Sequence, residues 1–169
     1  MNLGAISMRY ARALLMFAND AGVAAKVYHE ALTLRKSFRE VPELRSAMEK
    51  PVMTHENKLL LLKQAAGGEI TEQMQKFFAL VLQEKREKYL MGINQSFIDL
   101  YRKQEKIHVG KLTTAVPIKP EEVERIRSIV VEAAGGTAEF ATKVDPKIEG
   151  GFIFEINTYR LNASVADQM

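Results

Sequence analysis

The side chains of this chain that could carry chemistry are few and far apart. His29, His55 and His108 are its imidazoles, and no two stand at the i, i+4 spacing that places a pair of metal ligands on one helix face. No cysteine is present to complete a ligand set, so solvated or capping roles suit these histidines better than ligation. Acidic residues are plentiful but fall almost entirely on charged helical faces. Asp145 alone has an unusual setting, within Val144-Asp145-Pro146-Lys147-Ile148-Glu149-Gly150-Gly151-Phe152. There Asp-Pro starts a turn, because proline fixes φ and withholds a donor, and the glycine pair lets the backbone bend before a strongly apolar strand. Gly150-Gly151 has neither the spacing of a phosphate-binding loop nor a Lys-Ser or Lys-Thr pair after it. A small enzyme using Asp145 and the nearby glycines is the one catalytic alternative, and turn formation explains the residue without it. Asn94-Gln95-Ser96 and Asn162-Ala163-Ser164 match the glycosylation sequon, but no secretory signal accompanies them, which makes them chance matches. The expectation is a protein with no catalytic residues, no cofactor and no metal site.

Composition bounds the rest. With 169 residues, 47% of them hydrophobic and 27% charged, the chain is long enough for one globular domain or two small ones. The absence of cysteine excludes a disulfide framework and fits a reducing compartment. No apolar run approaches the roughly 20 residues of a membrane span, Leu59-Leu60-Leu61-Leu62 being far too short, and Arg9 and Arg12 interrupt any signal-peptide segment. Contact with a membrane complex is therefore expected from the aqueous side, without insertion. The net charge of +3 does not imply nucleic acid, since basic and acidic residues interleave, as in Glu84-Lys85-Arg86-Glu87-Lys88. Steering toward an acidic protein partner suits it better.

The elements that must position these groups come in two blocks. Ile6, Tyr10, Ala13, Leu14, Phe17 and Ala21 recur at helical spacing and Gly22 stops the helix; Val27, Ala31, Leu34, Phe38 and Val41 repeat the pattern up to Pro42. A short helix fits Glu43 to Glu49. Thr54 and Thr71 are N-caps of the next two helices, the first ending at Gly67-Gly68 and the second carrying Met74, Phe77, Phe78, Val81 and Leu82. Leu90, Ile93, Phe97, Leu100 and Tyr101 mark a sixth, in which Gly92 is a mild local cost. Six helices with short connections predict an antiparallel bundle over residues 1–105.

The pattern changes near Ile107. Val109 to Val116 is β-prone, a helix starts at Pro120 with Val123, Ile126, Val130 and Ala134 on its core face, and Gly135-Gly136 ends it. Thr137 to Val144, Gly151 to Asn157 and Tyr159 to Ala163 follow as short strands. The predicted fold class is α+β: the six-helix bundle, then a small α+β domain over residues 106–169. Ala11, Leu15 and Ala18 of the first helix and Ala79 and Leu80 of the fifth fall partly off their core stripes. Either these helices are simply surrounded, or a groove between them accepts an amphipathic helix from outside.

The motifs taken together resemble one family, the δ subunit of the rotary F-type ATP synthase, whose mitochondrial counterpart is the oligomycin-sensitivity-conferral protein. The resemblance runs nearly end to end. Met8-Arg9-Tyr10-Ala11-Arg12-Ala13-Leu14 is similar to the family's opening helix, and Lys50-Pro51-Val52 followed by Lys58 to a step between helices. Arg86 stands where the family has an arginine at a helix junction, and Thr113-Thr114-Ala115-Val116-Pro117-Ile118 resembles a strand end. Asp145-Pro146 with Gly150-Gly151-Phe152 is the most specific element. Two positions depart from the pattern: Asn162-Ala163-Ser164 replaces the usual Asp-Gly-Ser, and the family continues with an amphipathic helix where this sequence reaches Met169. The resemblance implies a non-catalytic stator connector that makes no chemistry of its own. Its first and fifth helices would hold the N-terminal helix of an ATP synthase α subunit, on a face around Tyr10, Ala13, Leu14, Phe17, Phe77, Leu80 and Val81. Its C-terminal domain would engage the C-termini of the peripheral-stalk b subunits. It further implies a monomer when isolated, peripheral at the cytoplasmic face of the bacterial plasma membrane. An unrelated helical-bundle adaptor is the alternative, and it leaves the motifs of the second domain unexplained.

Overall fold

Among the described residues, seven α-helices and four strands are laid down in two successive units, Met1–Tyr101 and Arg102–Met169. The computed structural model describes residues 3–148, 151–156 and 159–164. Gly150 of the turn motif, Asn157 at the end of the third expected strand, and the tail from Val165 lie outside them.

In the first unit, α1 (Leu3–Asp20), α2 (Ala24–Glu40), α3 (Glu43–Glu49), α4 (His55–Ala65), α5 (Glu72–Gln83) and α6 (Leu90–Gln104, its last residues reaching the second unit) form the expected bundle. The two threonine caps hold: Asn57 N–H donates to Thr54 Oγ1 and Met74 N–H to Thr71 Oγ1, each at 3.1 Å. Each satisfies an N–H that the first turn would otherwise leave unpaired, worth about 1 kcal/mol. A 3-10 turn at Glu87–Tyr89 precedes α6. It exists because α5 ends in a Schellman motif on a non-glycine: Lys85 adopts φ +57°, Arg86 N–H reaches the Val81 carbonyl at 2.9 Å and Lys85 N–H the Leu82 carbonyl at 3.1 Å. The core is drawn from every helix, with Leu14, Leu34, Leu62, Phe78, Ile93 and Phe97 fully buried. Each large side chain so removed from water contributes about 1.5–3 kcal/mol. Tyr28 and Tyr101 stack at 4.4 Å between centroids, tying α2 to the end of α6.

The core stripe of α1 differs from the one its periodicity suggests. Ala11 and Ala18 are wholly buried with Ile6 and Leu14, whereas Ala13, Phe17 and Ala21 face water and Tyr10 is half-buried. The small residues take the buried line, and the larger Phe17 lies on the exposed flank.

In the second unit, β1 (Ile107–Thr114) and β2 (Thr137–Val144) are parallel, joined through α7 (Pro120–Ala134); β3 (Gly151–Ile156) and β4 (Tyr159–Ser164) add antiparallel neighbours. The sheet order is β2-β1-β3-β4. β1 starts two residues earlier than its β-prone run suggests, and Ala134 of α7 is exposed rather than inward. Leu112, Val130 and Ala138 are buried together under Ile118, Ile126, Val131, Phe140 and Phe152. Gly136 is obligatory here: a Cβ on it would lie 2.0 Å from the Lys106 carbonyl oxygen. Asp145 is the expected turn residue, with its Oδ1 accepting from Lys147 N–H at 3.0 Å and its own N–H donating to the Thr114 carbonyl at 2.7 Å.

Candidate partner-binding surface

The face expected to receive a helix is built on the packed pair α1 and α5. On α1, Tyr10, Ala13 and Phe17 recur at i, i+3 and i+7, so they share one side of the helix beside the buried Leu14. On α5, Leu80 stands one turn beyond the buried Phe77, and Val81 is fully buried. Of the seven residues, Leu14, Phe77 and Val81 are buried in the core, Tyr10 is half-buried, and Ala13, Phe17 and Leu80 are exposed. Phe17 is 40% exposed and Leu80 42%. Met16, 66% exposed and one turn after Ala13, extends the apolar surface of α1; its spacing from Ala13 was the available signal.

α5 is held in place from α2. The Glu30 carboxylate accepts from Thr71 N–H at 2.7 Å and from Thr71 Oγ1 at 2.8 Å, gripping the residue that caps the helix. On the solvent side of the same first turn, Glu72 pairs with Lys76 at 2.9 Å. The hydrogen bond from the Lys76 ammonium, then its charge, hold the Glu72 carboxyl below the ordinary glutamate value.

The groups that could do chemistry are not brought together. His29 and His55 are exposed on separate helices, and His108 Nε2 donates to the Gly135 carbonyl at 3.0 Å, a capping role at the end of α7. Among the described residues no cluster of His, Asp and Glu is arranged to hold a metal ion, and no helix is long and apolar enough to cross a membrane. Asn94 of the first sequon is buried, its Nδ2 donating to the Ala31 carbonyl at 2.9 Å, so it is a bridge between α6 and α2. Lys58, part of a motif singled out above, is also buried, paired with Glu87 at 3.4 Å. Both side chains are of types that ordinarily face water, and only the tertiary packing reveals them.

A helical bundle followed by a small mixed sheet, with apolar side chains left on a helical face, defines the class: a two-unit α+β protein whose notable surface suits another protein. The chain belongs to the ATP synthase delta (OSCP) subunit family, whose model matches residues 6–169. It is 55% identical over 170 residues to ATP synthase subunit delta of Phocaeicola vulgatus and 46% identical over 171 residues to that of Bacteroides thetaiotaomicron. Each alignment covers 100% of this chain and 92% of the relative. The fold is similar to that of a chain in the Toxoplasma gondii mitochondrial ATP synthase hexamer, with a TM-score of 0.69 and 22% identity over 96% of this chain and 92% of the other. The chain is accordingly a structural, non-catalytic subunit of ATP synthase.

Proposed function

We propose that this subunit ties the catalytic head of the F-type ATP synthase to its peripheral stalk, so that the head resists rotor torque during proton-driven synthesis. The first unit takes the N-terminal helix of an α subunit on the α1–α5 face, and the second engages the C-termini of the b subunits. The whole sits peripherally at the cytoplasmic face of the bacterial membrane. One observation carries the reading: Phe17 and Leu80, large apolar side chains on two helices packed together, are 40% and 42% exposed. An amphipathic helix laid across them would remove both from water and continue the apolar floor of Leu14 and Phe77. The Toxoplasma chain of similar fold comes from an assembled mitochondrial ATP synthase, which supports a place for this subunit within such an assembly. A connector needs attachment at its ends rather than an active site, which agrees with the dispersed histidines.

Titration calorimetry with a peptide of about 20 residues, long enough for several helical turns, from the N-terminus of the cognate α subunit tests it. One-to-one binding is expected, lost on Ala13→Glu. Ala13 is exposed, so the variant keeps its helical circular dichroism. Equal binding by the variant, or none by the wild type, would remove the α1–α5 face from the proposal.

A further inference from the structure

Lys58 of α4 keeps 4% of its surface exposed, yet among the described residues its ammonium makes a single hydrogen bond, to Glu87 Oε1 at 3.4 Å. The other carboxylate oxygen, Glu87 Oε2, is buried with no hydrogen-bond partner among the described residues. An ammonium has three donors and a carboxylate two acceptor oxygens, so within the protein both halves of this pair, their side chains 5% and 17% exposed, retain unused hydrogen-bonding capacity toward a ligand. Both line a cavity of about 360 Å³, and a neighbouring cavity of about 310 Å³ shares Met48, Glu49, Glu87 and Lys88 in its wall. The charged residues around the two are Arg45, Lys58, Lys85 and Lys88 against Glu49 and Glu87, an excess of positive charge. Two motifs that the α1–α5 face does not use meet here. Pro51 and Lys58 line the larger cavity, and Glu87 follows Arg86 in sequence.

We propose that this corner between α3, α4 and the 3-10 turn binds inorganic phosphate. A ligand that satisfies it must offer ionised oxygens to Lys58 Nζ and also a donor to Glu87 Oε2. Phosphate at neutral pH keeps at least one O–H beside its ionised oxygens and meets both needs. Sulfate has the same shape but carries no proton, and it would set an anionic oxygen against the Glu87 carboxylate. A neutral amide supplies donor and acceptor but leaves the positive excess uncompensated.

Amide chemical shifts of the full chain, followed by NMR during phosphate and sulfate titrations at constant ionic strength, test this. Saturable shifts at residues 58 and 85–88 are expected with phosphate, and binding about tenfold or more weaker with sulfate, since an unpaired like charge opposes it. Lys58→Met with Glu87→Met removes both charges together, leaves neither one unpaired, and should abolish the shifts. Glu87→Gln, close in shape to the native residue, presents a donor to sulfate and should narrow the preference between the ions. Equal response to both ions in the native chain, shifts that persist in the double variant, or an unchanged preference in Glu87→Gln would each overturn the proposal. So would the absence of saturable shifts.

Discussion

Gly92 shows how a single position can look wrong in sequence and right in space. A glycine inside a helix costs about 1 kcal/mol relative to alanine, so α6 would gain from its replacement if nothing stood nearby. A Cβ there would lie 2.8 Å from Ser7 Oγ but 3.7 Å from Ser7 Cβ, so the obstruction is one hydroxyl on α1. Ser7 is itself buried, though it lines with Gly92 the cavity of about 310 Å³, into which the hydroxyl can turn at the cost of a rotamer change. Gly92→Ala alone should therefore forfeit the helix-propensity gain and destabilise the protein by up to about 1 kcal/mol, the overpacking cost offsetting that gain or slightly exceeding it. In a Ser7→Ala background the same change should be neutral or stabilising, because the remaining contact is ordinary van der Waals packing. Urea unfolding of the four members of this cycle gives the coupling; additive effects would mean that α1 and α6 simply move apart.

At the scale of the element, α5 owes its place to its first turn. Thr54 and Thr71 are both N-caps of similar geometry, but only Thr71 also lends its hydroxyl to Glu30 of α2. Thr71→Ala should consequently cost about 1 kcal/mol more than Thr54→Ala in denaturant unfolding, a hydrogen bond to a charged group being worth somewhat more than a neutral one. In a Glu30→Ala background the two substitutions should become equal, and a persisting difference would place the extra stability elsewhere. Local signals made the caps legible in sequence: a threonine, then an apolar run at helical period. Glu30 was not legible, since its partner lies 41 residues on and nothing in a charged helix marks which carboxylate turns inward. The same limit hid Asn94 and Lys58. It also rotated the inner face of α1, where Ala11 and Ala18 are wholly buried: alanine carries a weak hydrophobic signal, so periodicity favoured Phe17. The strands of the second unit were legible from their period and from Gly135-Gly136 and Asp145-Pro146, but the pairing of β1 between β2 and β3 depends on contacts distant in sequence. Of the seven residues named for the partner surface, the apolar pattern supplied the two helices, and the family resemblance supplied the choice between them and their surroundings.

For the whole molecule, the proposed tie is only as strong as both of its ends, and each proposed end belongs to a unit with its own buried residues. Damage to one end should therefore leave the other intact. Phe17→Asp with Leu80→Asp changes two side chains that already face water, so the bundle should fold, while a charge against an apolar helix face should cost about 2–4 kcal/mol of binding, roughly a 30- to 1,000-fold loss of affinity for the α-subunit peptide. Binding of a peripheral-stalk b fragment should change by less than about twofold, in line with additivity for separated sites. In membranes carrying the synthase, such a variant separates mechanics from chemistry. ATP hydrolysis by the head should continue, because this subunit contributes no catalytic group, whereas ATP-driven proton pumping and proton-driven synthesis should fall together as the head slips with the rotor. Hydrolysis and pumping measured on the same vesicles decide the matter. If pumping survives despite the lost peptide affinity, the torque is carried by contacts other than the α1–α5 face; if hydrolysis disappears as well, the subunit does more for the head than hold it still.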